Sequence, residues 1–250
     1  MALFWEVLAT PGLWWVAIGA FLAGTVRGFA GFGTGMIYLP FAATVLSPVG
    51  ALLSLAVMDS LGPLPVIPST ARTAPRKPLL LMIAGMIVCL PIGLFALAQM
   101  EPTTYRWILA ILTFCAVVLM IGGYRFPGEV NNGIWLGTGG AVGILGGGTG
   151  LPGPPIVLVT MASRMSPASI RALNMVLLFV FDLVLFPTMW LQGMFGIVPF
   201  VTGVVMVVPF LVGLGLGCLI FHPEKEKMYR GVAYAVITFA AATALPIWGN

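Results

Sequence analysis

Long apolar runs alternate with short polar stretches along the whole chain. Six of these runs approach or exceed the roughly 20 residues that an α-helix needs to cross about 30 Å of hydrocarbon. The pattern therefore predicts six membrane-spanning helices, at residues 49–67, 79–98, 107–123, 172–193, 194–221 and 231–248.

Two further apolar segments are longer and are interrupted by glycines. Residues 13–46 and 133–163 would each form a straight helix longer than the bilayer is thick, at about 1.5 Å per residue. Glycine disfavours a helix interior by about 1 kcal/mol. Each segment is therefore predicted to split into two short helices, 13–27 with 36–46 and 133–145 with 154–163.

The two interrupted segments carry the same glycine motif. The stretch GFAGFGTGMIYLP aligns with GILGGGTGLPGPP when one constant offset of 115 residues is applied. The motif predicts an internal repeat, with a first copy at residues 1–125 and a second at 126–250, each holding one broken segment and three spans. The matching pairs are Gly28 with Gly143, Gly31 with Gly146, Gly33 with Gly148, Thr34 with Thr149, Gly35 with Gly150 and Pro40 with Pro155.

The distribution of basic residues favours a hairpin for segment 133–163. With a hairpin, nine basic residues fall on one side of the membrane and only Arg106 lies opposite, as the positive-inside bias of short loops requires. A single crossing would divide them four against six. The repeat extends the hairpin to segment 13–46 and gives an inverted-topology repeat with external termini, typical of secondary transporters. The nine are Arg72, Arg76, Lys77, Arg125, Arg164, Arg171, Lys225, Lys227 and Arg230.

Composition identifies the class of protein. Hydrophobic residues make up 60% and charged residues 7% of the chain, against about 25% charged in soluble domains. The chain is therefore expected to be an all-α integral membrane protein in a lipid bilayer. The net charge of +4 then records membrane orientation, and no nucleic-acid partner is predicted. No pattern typical of an enzyme, a metal site or a cofactor site is present, because the only histidine lies in a loop.

The glycine breaks suit anion binding. The start of a half-helix offers unpaired N–H groups and about half a positive charge, which attract anions. The backbone of Gly33, Gly35, Gly148 and Gly150 and the hydroxyls of Thr34 and Thr149 are predicted to bind substrate. The alternative is that the glycines only let helices pack closely.

Ionisable residues inside apolar segments are rare and informative. Arg27 precedes the first break, and its guanidinium suits an oxyanion, although it can also be structural. Asp59 and Asp182 lie within predicted spans, so each is a candidate proton carrier or a structural partner for Arg27. Asn174 is a further candidate substrate-binding residue.

The two glycine motifs, in a layout that covers the whole chain, resemble the TauE/SafE sulfite exporter family, also called the 4-toluene sulfonate uptake permeases. Family members often carry three consecutive glycines in each copy, whereas Phe32 and Thr34 interrupt them here. The resemblance implies transport of sulfite, sulfoacetate or other organosulfonates across the bacterial cytoplasmic membrane without ATP hydrolysis.

Other functions remain open on the sequence. An anion channel could use the same glycine breaks as a constriction, and a permease could carry thiosulfate or a carboxylate instead. The sequence leaves export or uptake, the coupling ion and assembly into a homodimer undecided.

Overall fold

The described part of the chain is helical throughout. A computed structural model describes residues 2–30, 33–61, 67–122, 130–163, 165–220, 224 and 226–246, and within these ranges there is no β-strand. The all-α prediction is confirmed. The α-helices are α1 (Ala2–Leu8), α2 (Leu13–Ala30), α3 (Thr34–Ala42), α4 (Pro48–Leu61), α5 (Ile67–Thr73), α6 (Arg76–Ala98), α7 (Pro102–Ile121), α8 (Asn132–Thr149), α9 (Gly153–Thr160), α10 (Pro167–Leu191), α11 (Ile197–Ile220) and α12 (Glu226–Ala244).

Five of the described helices are long and apolar enough to cross a membrane: α2, α6, α7, α10 and α11. The last four correspond to predicted spans. The other two predicted spans coincide with shorter apolar helices, Pro48–Leu61 and Gly231–Ala244. Within the expected helix 49–67, the structure describes α4 as far as Leu61 and α5 from Ile67, and residues 62–66 lie outside the described residues. Among the basic residues used in the charge count, Arg125, Arg164 and Lys225 lie outside the described residues.

Polar side chains mark several helix ends. The Asn131 Oδ1 atom accepts from the Ile134 N–H group at 3.0 Å and starts α8, while the Ser166 Oγ atom accepts from Ser169 at 3.2 Å and starts α10. The guanidinium of Arg106 donates to the carbonyl of Ala244 at 2.9 Å, at the end of α12. A cation there complements the negative end of the helix dipole.

The chain forms two compact units, and each unit draws on both halves of the sequence. The first unit comprises Met1–Met58, Met100–Leu119 and Gly196–Asn250, and the second comprises Asp59–Gln99 and Met120–Phe195. In the first unit α2 packs against α11, and in the second α8 packs against α6. The repeat boundary at residue 125 concerns the sequence and stays a prediction.

Glycines bring the backbones of α2 and α11 into direct contact. A Cβ atom added at Gly24 would lie 2.1 Å from the carbonyl oxygen of Phe210, and one at Gly213 would lie 2.1 Å from that of Phe21. A Cβ atom at Gly28 would lie 2.5 Å from the Leu214 oxygen. Contacts advance in the same direction along both helices, so α2 and α11 run parallel.

The same contact recurs between α8 and α6. A Cβ atom at Gly139 would lie 2.1 Å from the Met82 oxygen, one at Gly143 would lie 2.7 Å from that of Met86, and one at Gly85 would lie 2.2 Å from that of Leu136. These helices are also parallel. The contact residues of α8 lie 115 positions after those of α2 in the sequence. The contact residues of α11 lie 128 positions after those of α6, so that Phe210, Gly213 and Leu214 correspond to Met82, Gly85 and Met86. The contacts of α2 with α11 therefore resemble those of α8 with α6, and Gly28 and Gly143 serve close packing.

The first broken segment is a hairpin. At its closed end an Arg27 Nη atom donates to the Thr34 Oγ1 atom at 2.9 Å. At its open end the Trp15 and Phe41 rings lie 4.8 Å apart, and a Cβ atom at Gly19 would meet the Phe41 side chain at 2.6 Å. Helix α3 therefore runs back along α2. For segment 133–163 the hairpin stays a prediction.

Both breaks lie within the predicted ones. The structure describes α2 as far as Ala30 and α3 from Thr34, and the second break separates Thr149 from Gly153. Gly146, Gly147 and Gly148 remain helical in α8. They are held against neighbours: a Cβ atom at Gly146 would meet the Phe181 ring at 2.5 Å, and one at Gly147 would meet the Leu90 oxygen at 2.9 Å. Packing outweighs the intrinsic helix penalty of glycine here.

Candidate functional site

Helix α3 positions the first candidate site, and it is enclosed by protein. Thr34 and residues 36–42 are all buried, and the helix packs against α2 and α12. The Tyr38 hydroxyl donates to the Ser54 Oγ atom of α4 at 2.9 Å, and both side chains are fully buried. Because α3 contacts α2, α4 and α12, its N-terminus is held in a fixed position.

The N-terminus of α3 presents backbone donors to the break. Gly33 caps the helix in the left-handed conformation, with φ 94° and ψ 5°, which glycine adopts without strain. The Ile37 N–H group closes the first turn on the Gly33 oxygen at 3.2 Å. By the geometry of an α-helix, the N–H groups of Thr34, Gly35 and Met36 have no acceptor within the helix.

Arg27 adds a positive charge at the same place. It lies in the last turn of α2, partly buried, and bonds Thr34, whose side chain is 4% exposed. A guanidinium only donates, so Thr34 accepts in this bond and its own O–H group is left to donate. The guanidinium, the hydroxyl and the backbone donors together form a cluster suited to an oxyanion.

Helix α12 supplies an apolar wall beside these donors. A Cβ atom at Gly33 would lie 3.4 Å from the Ile237 side chain, which is fully buried. Nearby, the rings of Phe29 and Tyr229 lie 5.3 Å apart, and the Tyr229 hydroxyl donates to the Ile220 carbonyl. Exclusion of water by such a wall strengthens the electrostatic attraction between the donors and an anion.

The second break differs from the first. Gly148 and Thr149 end α8, and the N–H group of Gly150, with φ 75°, bonds the Gly146 oxygen at 2.8 Å. The Thr149 hydroxyl donates to the Leu145 oxygen at 2.6 Å. Because these groups already bond within α8, the predicted role of Gly148, Thr149 and Gly150 as anion donors is not carried into the proposal below.

The remaining candidates belong to the second unit. Asp182 of α10 is 7% exposed, Asp59 of α4 is partly buried, and each has an interaction partner. The Asn174 Oδ1 atom is buried without a hydrogen-bond partner among the described residues. Arg171 is exposed.

The structure thus brings together Arg27, Gly33, Thr34 and Gly35. Sequence reasoning missed the apolar side of this site, where Ile237 lies against Gly33. No local signal could have found Ile237, because it comes from the opposite end of the chain and reaches the site only through folding.

One family model matches nearly the whole chain. It is described as sulfite exporter TauE/SafE, and it covers residues 16–244, which include both breaks and every candidate residue. No curated protein and no solved structure matches the chain. Five apolar helices of spanning length and a family of membrane transporters together indicate a multi-pass membrane protein. The chain belongs to the sulfite exporter TauE/SafE family.

Proposed function

We propose that this protein is a secondary transporter that exports small sulfur-containing oxyanions across the bacterial cytoplasmic membrane, with the anion bound at the first break. Sulfite, sulfoacetate and other organosulfonates are the proposed substrates. The observation that carries the proposal is the Arg27 to Thr34 hydrogen bond at the N-terminus of α3. It places a fixed charge beside backbone donors that have no partner within the helix.

The chemistry of a sulfonate or sulfite group matches these donors. Its oxygens carry the negative charge and are spread in a pyramid, so they can accept from a guanidinium fork, a hydroxyl and N–H groups at once. A hydrogen bond to a charged group contributes about 1.5–3 kcal/mol, and a helix N-terminus about 0.3–1 kcal/mol more. The apolar side chain of Ile237 lies beside these donors, where it could contact the organic substituent of a sulfonate.

The parallel helix pairs support an inverted topology. Since α3 returns along α2, α4 starts in the same direction as α2. If the α4 segment, α6 and α7 each cross the membrane once, α8 runs in the same direction as α6. The contacts between α6 and α8 agree with this, because they show a parallel pair. After α8, only a hairpin with α9 leaves α11 parallel to α2, whereas a single crossing would reverse α11. The observed parallel pair of α2 and α11 therefore favours two hairpins that enter from opposite faces.

Binding of sulfite and sulfoacetate to the purified protein tests the site. Arg27→Ala is expected to weaken binding about tenfold or more, because one charge-assisted hydrogen bond is lost. Arg27→Lys should weaken it less, since charge remains, and Thr34→Val should remove one donor. Arg171→Ala is the matched control, because it removes an exposed arginine outside the site. Unchanged affinity in Arg27→Ala, with the fold intact, would place the anion elsewhere.

Transport assays in proteoliposomes test the mechanism. A carrier should show saturable flux that responds to an imposed pH gradient, whereas an anion channel should carry ohmic current.

For coupling, we propose that Asp59, Asp182 or both carry a proton, because an ionised carboxylate within the membrane is unfavourable. Loss of the pH-gradient response in Asp59→Asn or Asp182→Asn is expected. An unaltered response in both variants would contradict proton coupling through these residues.

A further inference from the structure

Helix α1 carries an exposed apolar face. At about 100° per residue, Phe4, Trp5 and Leu8 lie on one side of this helix, and all three are exposed. Trp5, the largest of them, is 65% exposed. Val7 lies on a second side and is fully buried, while Glu6 lies on the third side and is exposed. The three sides of α1 therefore face three different surroundings.

The buried side of α1 packs against α11. Among the side chains of α1 that the structure describes, only Val7 is buried, and α1 contacts α11 within the first compact unit. A hydrogen-bonded turn then joins α1 to α2: the Thr10 N–H group donates to the Val7 oxygen and the Leu13 N–H group to the Thr10 oxygen, both at 3.1 Å. Helix α1 is therefore held at the starting end of α2 and beside α11.

The length of α11 indicates the depth of its first turn in the membrane. Its 24 residues extend about 36 Å, whereas the hydrocarbon core of a bilayer is about 30 Å thick. When α11 crosses the membrane, its first turn therefore lies at the boundary between hydrocarbon and headgroups.

The start of α2 lies at the same level as the first turns of α11. A Cβ atom at Gly24 would meet the backbone of Phe210 and Leu214. Counting back equally along these parallel helices, Leu13 at the start of α2 lies level with residues 199–203, in the first two turns of α11. The turn that joins α1 to α2 therefore lies at the boundary as well.

The exposed apolar face continues from α1 onto α2. Trp14, near the start of α2, is 67% exposed, and Ile18, one turn further along, is exposed as well. Tryptophan is enriched where a membrane protein meets the headgroups, because its ring is apolar and its N–H group can reach a polar partner. A lipid surface therefore fits this face better than a second protein does, since the face joins the lipid-exposed side of α2 at the depth that tryptophan favours.

We propose that α1 is an interfacial helix that binds the headgroup region of the bilayer through Phe4, Trp5 and Leu8, with Glu6 directed to water. It would anchor the starting ends of α2 and α11 at the membrane surface. Residues 1–26 contain no lysine or arginine, so apolar contact rather than attraction to anionic lipid drives the binding. The proposal does not depend on the proposed function.

Spin labels measure the depth of α1 in the full-length protein. In a variant whose three cysteines are replaced by alanine, a nitroxide is attached at Leu8→Cys or at Glu6→Cys, and the protein is reconstituted in phosphatidylcholine vesicles. Trp5 stays in place in both variants. Collisions of the label with oxygen, which concentrates in lipid, are compared with collisions with a water-soluble nickel chelate. The label at residue 8 is expected to favour oxygen and to lie about 5–10 Å into the boundary of headgroups and acyl chains, whereas the label at residue 6 should favour the chelate.

Trp5→Ser, added to the Leu8→Cys variant, tests whether this tryptophan is the anchor. It is expected to shift the label at residue 8 toward the chelate. Trp190→Ser is the matched control, because it removes a similarly exposed tryptophan from α10, and it should leave the label unchanged.

Two reference positions calibrate the measurement. Ile111→Cys, exposed in the middle of α7, reports on hydrocarbon, and Glu101→Cys, in the exposed turn before α7, reports on water. A label at residue 8 that matches either reference would overturn the proposal, because α1 would then lie in water or in the hydrocarbon core. Exclusion of both reagents from residue 8 would also overturn it, since a second copy of the chain or another protein would then cover the face.

Discussion

At the scale of single residues, the left-handed glycines of the two breaks have different surroundings. Gly33 precedes a helix N-terminus beside Arg27, and Gly150 follows a helix C-terminus beside prolines. Alanine would meet conformational strain of about 1–2 kcal/mol at either position. Because both variants carry such strain, a loss of anion affinity in one variant and not in the other reports on the sites.

We predict that Gly33→Ala weakens sulfite binding several-fold and that Gly150→Ala does not. The reason is that alanine at residue 33 shifts the N–H groups that follow it and places a methyl group 3.4 Å from Ile237. Isothermal titration of both purified variants provides the measurement. Equal losses in the two variants would indicate that the anion bridges both breaks or that strain alone is responsible.

At the scale of helices, glycine decides which pairs touch. The contacts of α2 with α11 and of α8 with α6 join backbone to backbone. Helices can approach this closely only at glycine, which has a hydrogen atom in place of a side chain. Lipid is as apolar as leucine, so such packing, rather than the hydrophobic effect, holds helices together in a membrane.

We predict that Gly139→Ala and Gly24→Ala lower the thermal stability in detergent, because a methyl group 2.1 Å from a carbonyl oxygen forces the helices apart at about 1–3 kcal/mol. Gly137→Ala on α8 and Gly215→Ala on α11 are the controls. A Cβ atom at either position meets nothing within 4 Å. The controls should match or exceed wild-type stability, since alanine favours a helix. If all four variants lose stability equally, the close contact is not what holds these pairs.

The sequence predicted the features of these helices that depend on neighbouring residues, and it did not predict those that depend on contacts between residues distant in the chain. Periodicity and charge predicted an all-helical chain with broken segments, because those signals are local. The glycines at 146–148 were predicted to break α8, and they do not, because they pack against residues such as Leu90 and Phe181 that are distant in sequence.

At the scale of the whole molecule, topology can be tested by cysteine labelling. In a variant whose Cys89, Cys115 and Cys218 are replaced by alanine, Arg72→Cys and Ala168→Cys should both react only from the cytoplasmic side, because the proposed second hairpin would return α9 to the side where α8 began. Both positions are exposed. Ala74 would be a poor probe, since it is buried against Ala172 and Val176.

Glu101→Cys provides the external control for this experiment, since it lies in an exposed turn between α6 and α7. External labelling of Ala168→Cys together with internal labelling of Arg72→Cys would replace the second hairpin with a single crossing.

The first compact unit joins the two ends of the chain, and this arrangement has a consequence for biosynthesis. The hairpin of α2 and α3 leaves the ribosome long before α11 and α12, which pack against it. At about 5–20 residues per second the delay is on the order of ten seconds. During that time the glycine face of α2 lies against lipid or the insertion machinery. A chain truncated before α11 leaves the start of α3 without its contact to Ile237, and it is expected to be degraded by membrane quality-control proteases.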